Sequence, residues 1–475
     1  MSTRHLLAIA GTQTRLHWRD RRLVWVSALV VLVMLTSLLT GHGRFSRLGL
    51  ERSAAELEAA RIWNDQGPTN PHGAAHFGRD VYAPVSPLAA LDPGLTDQLG
   101  VSVRLEGHSQ NPARDRPTES GAAASRFGGF SAAWALKVLA PLVIILAGFS
   151  TFAGERSREL LMQELAAGVP ARTLMTGQLL ALGGWALALV AVFTGAGLVL
   201  LARGNADMQD YLSAVSIGAG FLAYLLLFVG LTLAASAHFR TARGALVALL
   251  CFWAFSTLIA PRLVPALAEH RHPTPSAPAF EKAVTDEARN GISGHDPADQ
   301  RLDAFREATL LRYGVSRVED LPVNFAGLAL EFGERNSTET YNRHYADLFD
   351  RYAGQARVQR VAAVLAPELA IAPLSMAFAG TDTDAHLAFL RQAEDYRYRL
   401  IQTLNADVAR HLPQGDGPYL TDVGALTASL VFAPERRALG AIWRSQAVNA
   451  AILLAWALAA LALASYAGAR LGRPR

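Results

Sequence analysis

His72 and His76 lie four positions apart, and His108 follows in the same stretch of chain. Imidazoles at that spacing share one face of a helix and, joined by a third, match the nitrogen preference of a zinc ion. Pro71 and Gly73 argue against a continuous helix there, and carboxylates such as Asp80 and Asp92 are unspecific neighbours. The single cysteine, Cys251, sits far away in an apolar run, so it supplies no thiolate and no disulfide. The expectation is therefore no metal site, with the three histidines anchoring a loop-rich segment through hydrogen bonds.

Other chemistry is scarcer still. There is no Gly-x-Ser-x-Gly, no His-Glu-x-x-His and no paired Cys motif. A phosphate-cradling loop needs Gly immediately before its Lys and Ser or Thr after it. The two lysines, Lys137 and Lys282, follow Leu136 and Glu281, so this chain binds no nucleotide by that device. No enzyme activity and no cofactor of its own are expected. Arg262, just after Pro261, has two readings: an outer gate, or a side chain snorkelling to a membrane interface. Tyr341, Tyr345, Phe349 and Tyr352 recur at helical spacing and are expected to pack in a core before they serve a ligand.

The elements that must position these residues are dominated by lipid-like sequence. Hydrophobic residues make up 51% of the 475, and mean hydropathy is +0.20, too apolar for an ordinary soluble protein of this size. Apolar windows able to cross a hydrocarbon core of about 30 Å place membrane segments at residues 23–40, 131–153, 174–202, 211–237, 244–262 and 445–469. The second reaches full length only by including Lys137, which is expected to snorkel. Thr40-Gly41-His42-Gly43-Arg44 is a poor cleavage site, so the first window is expected to stay as an anchor. The middles of the windows hold no ionisable residue, which argues against coupling to an ion gradient.

The fold class expected is thus an all-α polytopic membrane protein with about six transmembrane helices and two extracytoplasmic insertions. A 1–22 interfacial helix precedes the first span; the insertions are 41–130 and 263–443, and the tail is 470–475. The first insertion is loop-rich after an opening helix near Leu50 to Trp63. The second is mainly helical, with one helix from Asn336 to about Leu365 and another capped within Thr381-Asp382-Thr383-Asp384 and running up to His411-Leu412-Pro413. Val361 to Ala379 is apolar but holds Glu368, Pro367 and Pro373, and reads as a surface or buried helix in preference to a seventh span.

Arginines sort the ends of these spans. Arg4, Arg15, Arg19, Arg21 and Arg22, then Arg156, Arg158 and Arg172, then Arg240 and Arg243, then Arg470, Arg473 and Arg475 fall on one side, while Arg203 to Asp210 holds one Arg and two Asp on the other. The positive-inside rule makes both termini cytoplasmic and both insertions external. The net charge of +4 arises beside apolar runs, not as a basic stripe, so no nucleic-acid partner is expected.

Within this scheme residues 154–173 form a cytoplasmic segment. Glu155 to Ala167 reads as a short helix ended by Gly168-Val169-Pro170, with Leu160, Leu161, Glu164 and Leu165 giving it a partly apolar face. Composition leaves two readings level: docking into a groove of a partner, or lying on lipid headgroups. The stretch Phe152-Ala153-Gly154-Glu155-Arg156, Leu160-Leu161, Leu165-Ala166-Ala167-Gly168-Val169-Pro170 and Gly177-Gln178-Leu179 resembles the coupling segment of type-2 ABC exporter (ABC-2 type) permeases. It differs at Ser157, where a second acidic residue is usual, and at Glu159-Leu160, in place of a Gly-Thr pair.

A subgroup of that family, with a domain of unknown function and two large extracytoplasmic insertions, is resembled more broadly. The matching stretches are Asn70-Pro71-His72-Gly73-Ala74-Ala75-His76-Phe77-Gly78, Leu91-Asp92-Pro93-Gly94, Glu106-Gly107-His108-Ser109-Gln110-Asn111, Pro261-Arg262 and Gly380-Thr381-Asp382. The resemblance implies a permease subunit in a bacterial cytoplasmic (inner) membrane, paired with a second permease as a homo- or heterodimer. It also implies a cytoplasmic ABC ATPase subunit that binds ATP and Mg, with Glu155, Arg156, Glu159 and Glu164 of this chain at the coupling contact. Periplasmic or envelope proteins are further partners it allows. The competing expectation is a membrane-anchored sensor or scaffold, which would ordinarily need only one or two spans and an appended signalling domain.

Overall fold

The computed structural model describes residues 3–120, 130–289, 300–412 and 419–471. The chain is an all-α polytopic membrane protein with little sheet. Arg473 and Arg475 lie outside the described residues.

Helix α1 (Thr3–Arg19) runs to Asp20, whose carboxylate accepts from the Arg22 N–H and starts α2 (Arg21–Asn64). At 44 residues α2 is about 66 Å long, twice what a bilayer core needs. The first apolar window and the helix expected near Leu50 to Trp63 are therefore one rod. Its lower half buries Leu23, Ser27, Val30, Met34 and Leu38 at spacings of three and four, and its upper end buries Trp63, whose indole N–H donates to Thr427 Oγ1 at 2.9 Å.

Among the described residues four further helices are long and apolar enough to cross a membrane, besides α2. One shorter apolar helix joins them. In chain order the bundle contains the short α4 (Ala132–Gly148), then α6 (Ala171–Leu201), α7 (Met208–His238), α8 (Ala242–Arg271) and α15 (Leu439–Ala469), with α5 (Glu155–Ala166) between α4 and α6. Both α4 and α8 contain a π turn, at Ala135–Leu139 and Phe255–Ile259, and each π turn is followed two residues later by a proline, Pro141 or Pro261. Proline has no N–H for the carbonyl four residues back, so the helix loosens there instead of breaking. In α4 that carbonyl belongs to Lys137 and accepts from the Tyr224 hydroxyl at 3.2 Å, while the next, Val138, accepts from the Trp253 indole at 3.1 Å. Neighbouring helices thus satisfy the backbone groups that Pro141 frees, as lipid could not.

Lys137 does not snorkel. Its ammonium lies 2.8 Å from Glu368 Oε1, and Glu368 is almost fully buried. Glu368 opens α12 (Glu368–Ala379), the helix of the ambiguous apolar segment, which packs against α7 and α15. Twelve residues reach about 18 Å, too short to cross. Phe378 meets Trp443 edge-on and the Val364 carbonyl accepts from Trp456, so the segment runs beside about 20 Å of α15, with α12 as its buried helical part.

Outside the bundle the two insertions share one hydrophobic core. The first contributes α3 (Pro71–Phe77) and an antiparallel sheet of β2 (Arg79–Tyr82), β3 (Ser102–Glu106) and β4 (Ser109–Gln110), with Arg79 opposite Leu105 and Tyr82 opposite Ser102. The second contributes α9 (Ala277–Arg289), α10 (Gln300–Tyr313), α11 (Phe325–Ala362), α13 (Thr383–Arg410) and α14 (Val423–Thr427). α11 starts and ends earlier than the helix expected from Asn336. α13 begins as expected, its cap being Asp382, which accepts from Ala385 N–H. Trp63, Ala75, Val81, Val103 and Leu105 pack with Phe389, Tyr396, Leu400, Leu404 and Val423. A small pair of strands, β1 (Pro68–Thr69) with β5 (Thr421–Asp422), closes the join.

Candidate functional site

The segment between α4 and α6 is built from backbone contacts more than from side-chain burial. Phe152 N–H donates to Ser236 Oγ at 2.8 Å, and Gly154 N–H donates to the Arg240 carbonyl at 3.3 Å from a left-handed conformation, φ +97°, that glycine allows. These bonds hold the start of α5 against the turn between α7 and α8. Ser157, where the family resemblance is weakest, donates its hydroxyl to the Ser150 carbonyl at 2.8 Å and so ties the helix back to its own entry. At the far end Val169 N–H bonds the Glu164 carbonyl at 3.1 Å, Gly168 takes φ +84°, and Pro170 starts the approach to α6.

Glu155, Arg156, Glu159 and Glu164 are all exposed on α5. The apolar face is split in a way its spacing did not foretell: Leu161 is buried against the bundle, whereas Leu160 is 52% exposed and Met162 56%. The helix therefore offers charges of both signs and two apolar side chains to whatever lies beyond the bundle end. The same end gathers other basic residues. Gly468, two residues before Arg470, packs on Met175 near the start of α6, while Arg240 lies in the α7 to α8 turn and Arg243 in the first turn of α8.

The opposite end carries the insertions. Arg436 pairs with Asp207 and, at 2.5 Å, with Asp210, tying the approach to α15 onto the start of α7. Arg262 lies on an exposed face of α8, three residues beyond its π turn, and is not brought near α5. Tyr345, Phe349 and Tyr352 of α11 are half-buried or exposed and line a cleft of about 680 Å³ between the two insertions, with Phe280 against Tyr345 and the Arg391 guanidinium over Phe349. Burial raises the Tyr341 and Tyr345 phenols above their ordinary range, so both stay neutral.

His72, His76 and His108 are brought together, their nearest nitrogens all within 4.8 Å. Pro71 does not prevent the helix that joins the first two: it occupies the first turn, where its missing N–H costs nothing, and Asn70 caps it. Two ion clusters had no signal in periodicity. Glu334 and Arg397 are distant in sequence, so nothing local announces their pairing. Glu368 did stand out, as a lone charge in an apolar run, and its partner Lys137 was the one lysine in a span.

Residues 279–416, most of the second insertion, match the family model of a domain of unknown function, DUF3526. No curated protein matches the chain at a significant level.

Proposed function

We propose that this chain is the membrane permease subunit of an ABC transporter, working as an exporter with a separate cytoplasmic ATPase and a second permease. The observation that carries the reading is α5: a short helix anchored by backbone bonds to the turn between two spans, presenting Glu155, Arg156, Glu159 and Glu164 outward. A rigidly mounted helix of this kind can pass a push from a partner to the spans on either side, which is what a two-state switch needs. The matched domain is commonly found in ABC-2 permease-like proteins, and the polytopic bundle is consistent with such a subunit. In this reading ATP and Mg bind the partner ATPase, the α5 end faces the cytoplasm by the positive-inside rule, and this chain does conformational and not covalent work.

The test is co-purification with a P-loop ABC ATPase co-expressed with it. The double reversal Glu155→Lys with Arg156→Glu is expected to cut recovery of the ATPase, and the ATP hydrolysis it stimulates, by at least about tenfold, since each reversed contact turns attraction into repulsion. Unchanged assembly and unchanged hydrolysis would show that α5 is not the docking element.

A further inference from the structure

We propose that His72, His76 and His108 bind one borderline divalent transition-metal ion, Zn2+ or Cu2+, with Glu334 as the carboxylate that orients His108. The inference is independent of the transport reading, because every residue in it belongs to the outer insertions.

Two ligands come from one turn of helix. Asn70 Oδ1 accepts from Gly73 N–H at 3.0 Å and fixes the start of α3, so His72 and His76 rise on the same face. Their Nε2 atoms are 3.1 Å apart. Two nitrogens each about 2.0–2.1 Å from a tetrahedral zinc would be about 3.3 Å apart, so this pair already has the bite of a chelate.

The third comes from the turn between β3 and β4. Gly107 N–H donates to the Ala75 carbonyl at 2.9 Å, which lands the hairpin on α3 and sets the His108 ring 5.5 Å from that of His72 and 5.3 Å from that of His76. His108 has φ +66°, a left-handed conformation that costs a non-glycine residue and persists only where surroundings enforce it. Here they do: its N–H donates to Glu334 Oε2 at 2.8 Å, and its carbonyl accepts from Ser337 Oγ at 2.7 Å.

The ring itself is oriented by the same carboxylate. His108 Nδ1 lies 3.3 Å from Glu334 Oε2, and Glu334 is fully buried, its charge matched by Arg397 at 2.5 Å. A carboxylate beside Nδ1 keeps the proton there and leaves the Nε2 lone pair for a metal, the arrangement by which outer carboxylates tune metal-bound histidines. Three imidazoles and no thiolate exclude hard ions such as Ca2+ and Mg2+, which want oxygen, and favour Cu2+ and Zn2+. His76 is exposed and the other two are half-buried, so the fourth position faces solvent and takes water or an exchangeable donor. Bound metal would also clamp α3 to the β3–β4 turn, and through Glu334 to the matched domain.

The full-length protein in detergent micelles, stripped with EDTA, is titrated with ZnCl2 by calorimetry and loaded with one equivalent of CuCl2 for electron paramagnetic resonance. One zinc per chain, imidazole nitrogen splitting in the copper spectrum, and a zinc-dependent rise in melting midpoint are expected. His76→Gln should weaken zinc binding about 100-fold and Glu334→Gln about tenfold, while His270→Gln, on α8, changes nothing. Zinc binding that is absent in the parent, or equal in parent and His76→Gln, overturns the proposal, as does a copper spectrum without nitrogen splitting. The copper spectrum needs no variant, so a His76→Gln chain that failed to fold would leave the decision intact.

Discussion

Arg397 is buried between two carboxylates, its guanidinium 2.5 Å from Glu334 and 2.7 Å from Glu394, and its remaining N–H groups reach Thr338 Oγ1 and the Glu106 carbonyl. A charge so deep is tolerated only when every donor is used. The contact to Glu106 belongs to the turn that carries His108, so one arginine of the second insertion shapes the site of the first. Two other buried groups lie where α13 starts and line one small cavity with Arg436 and Arg437. Burial pushes the His386 imidazole down to about 4 and the Asp382 carboxyl up to about 6, the latter against the pull of Arg437. The signs are opposite. His386 folds best neutral, so its contribution is complete above the ordinary imidazole value and is lost as pH falls through about 4. Asp382 folds best protonated, so its contribution is complete below the ordinary carboxyl value and is lost as pH rises through about 6. Asp382→Asn keeps the helix cap and should be more stable than the parent at pH 7, by on the order of 2–3 kcal/mol, an advantage that vanishes towards pH 4. His386→Asn should gain on the parent only as pH falls. Melting midpoints measured across that range check both, and parallel curves for all three proteins would refute the assignment. A cap within Thr381-Asp382-Thr383-Asp384 was legible, and the structure places it at Asp382; the burial that moves these two groups was not legible, because it depends on how α13 lies against the first insertion.

At the scale of elements, five of the six hydropathy windows coincide with described helices long and apolar enough to cross a membrane, because lipid imposes length and composition on such helices. Hydropathy could not show what bends them. The π turn before Pro141 depends on Tyr224 and Trp253 reaching over from other helices, a matter of packing and not of local sequence. The same limit applies to the small residues. A side chain placed at Gly197, Gly218 or Gly220 would press on Leu91, Thr194 or Leu374, as small residues at helix crossings predict, whereas nothing lies within 4 Å of one placed at Gly184 or Gly195. Among the bundle's glycines the closest approach of another helix's backbone is at Gly230 of α7, where a Cβ would sit 2.5 Å from the backbone carbon of Ala460 in α15. Backbone cannot swing aside as a side chain does, so Gly230→Leu must separate the helices. A loss of about 2–4 kcal/mol is expected, read as a lower melting midpoint in detergent. Gly184→Leu, facing open space, should melt like the parent, and equal losses at the two positions would mean that this crossing does not hold the bundle together.

For the whole molecule, the insertions were legible as two separate stretches, but not that they build one body. That follows from α2 continuing past the first span to place Trp63 against Thr427, and from β1 pairing with β5, contacts that join the first insertion to the last residues before α15. With one body at one end, α5 and the turn between α7 and α8 are left at the other, where Arg156, Arg158, Arg172, Arg240, Arg243 and Arg470 collect. Short loops rich in arginine resist transfer across the membrane, so that end should be cytoplasmic. Single cysteines in a Cys251→Ser background test this directly. Ala167→Cys stands at the exposed end of α5, and Gly440→Cys stands at the exposed start of α15, with nothing within 4 Å of its side chain. A membrane-impermeant maleimide added to intact spheroplasts should label position 440 and leave 167 untouched until the membrane is opened. Labelling of 167 alone would invert the protein and remove α5 from reach of any ATPase. Labelling of both from outside would mean an even number of crossings between them, with α12 as the segment to supply a fourth.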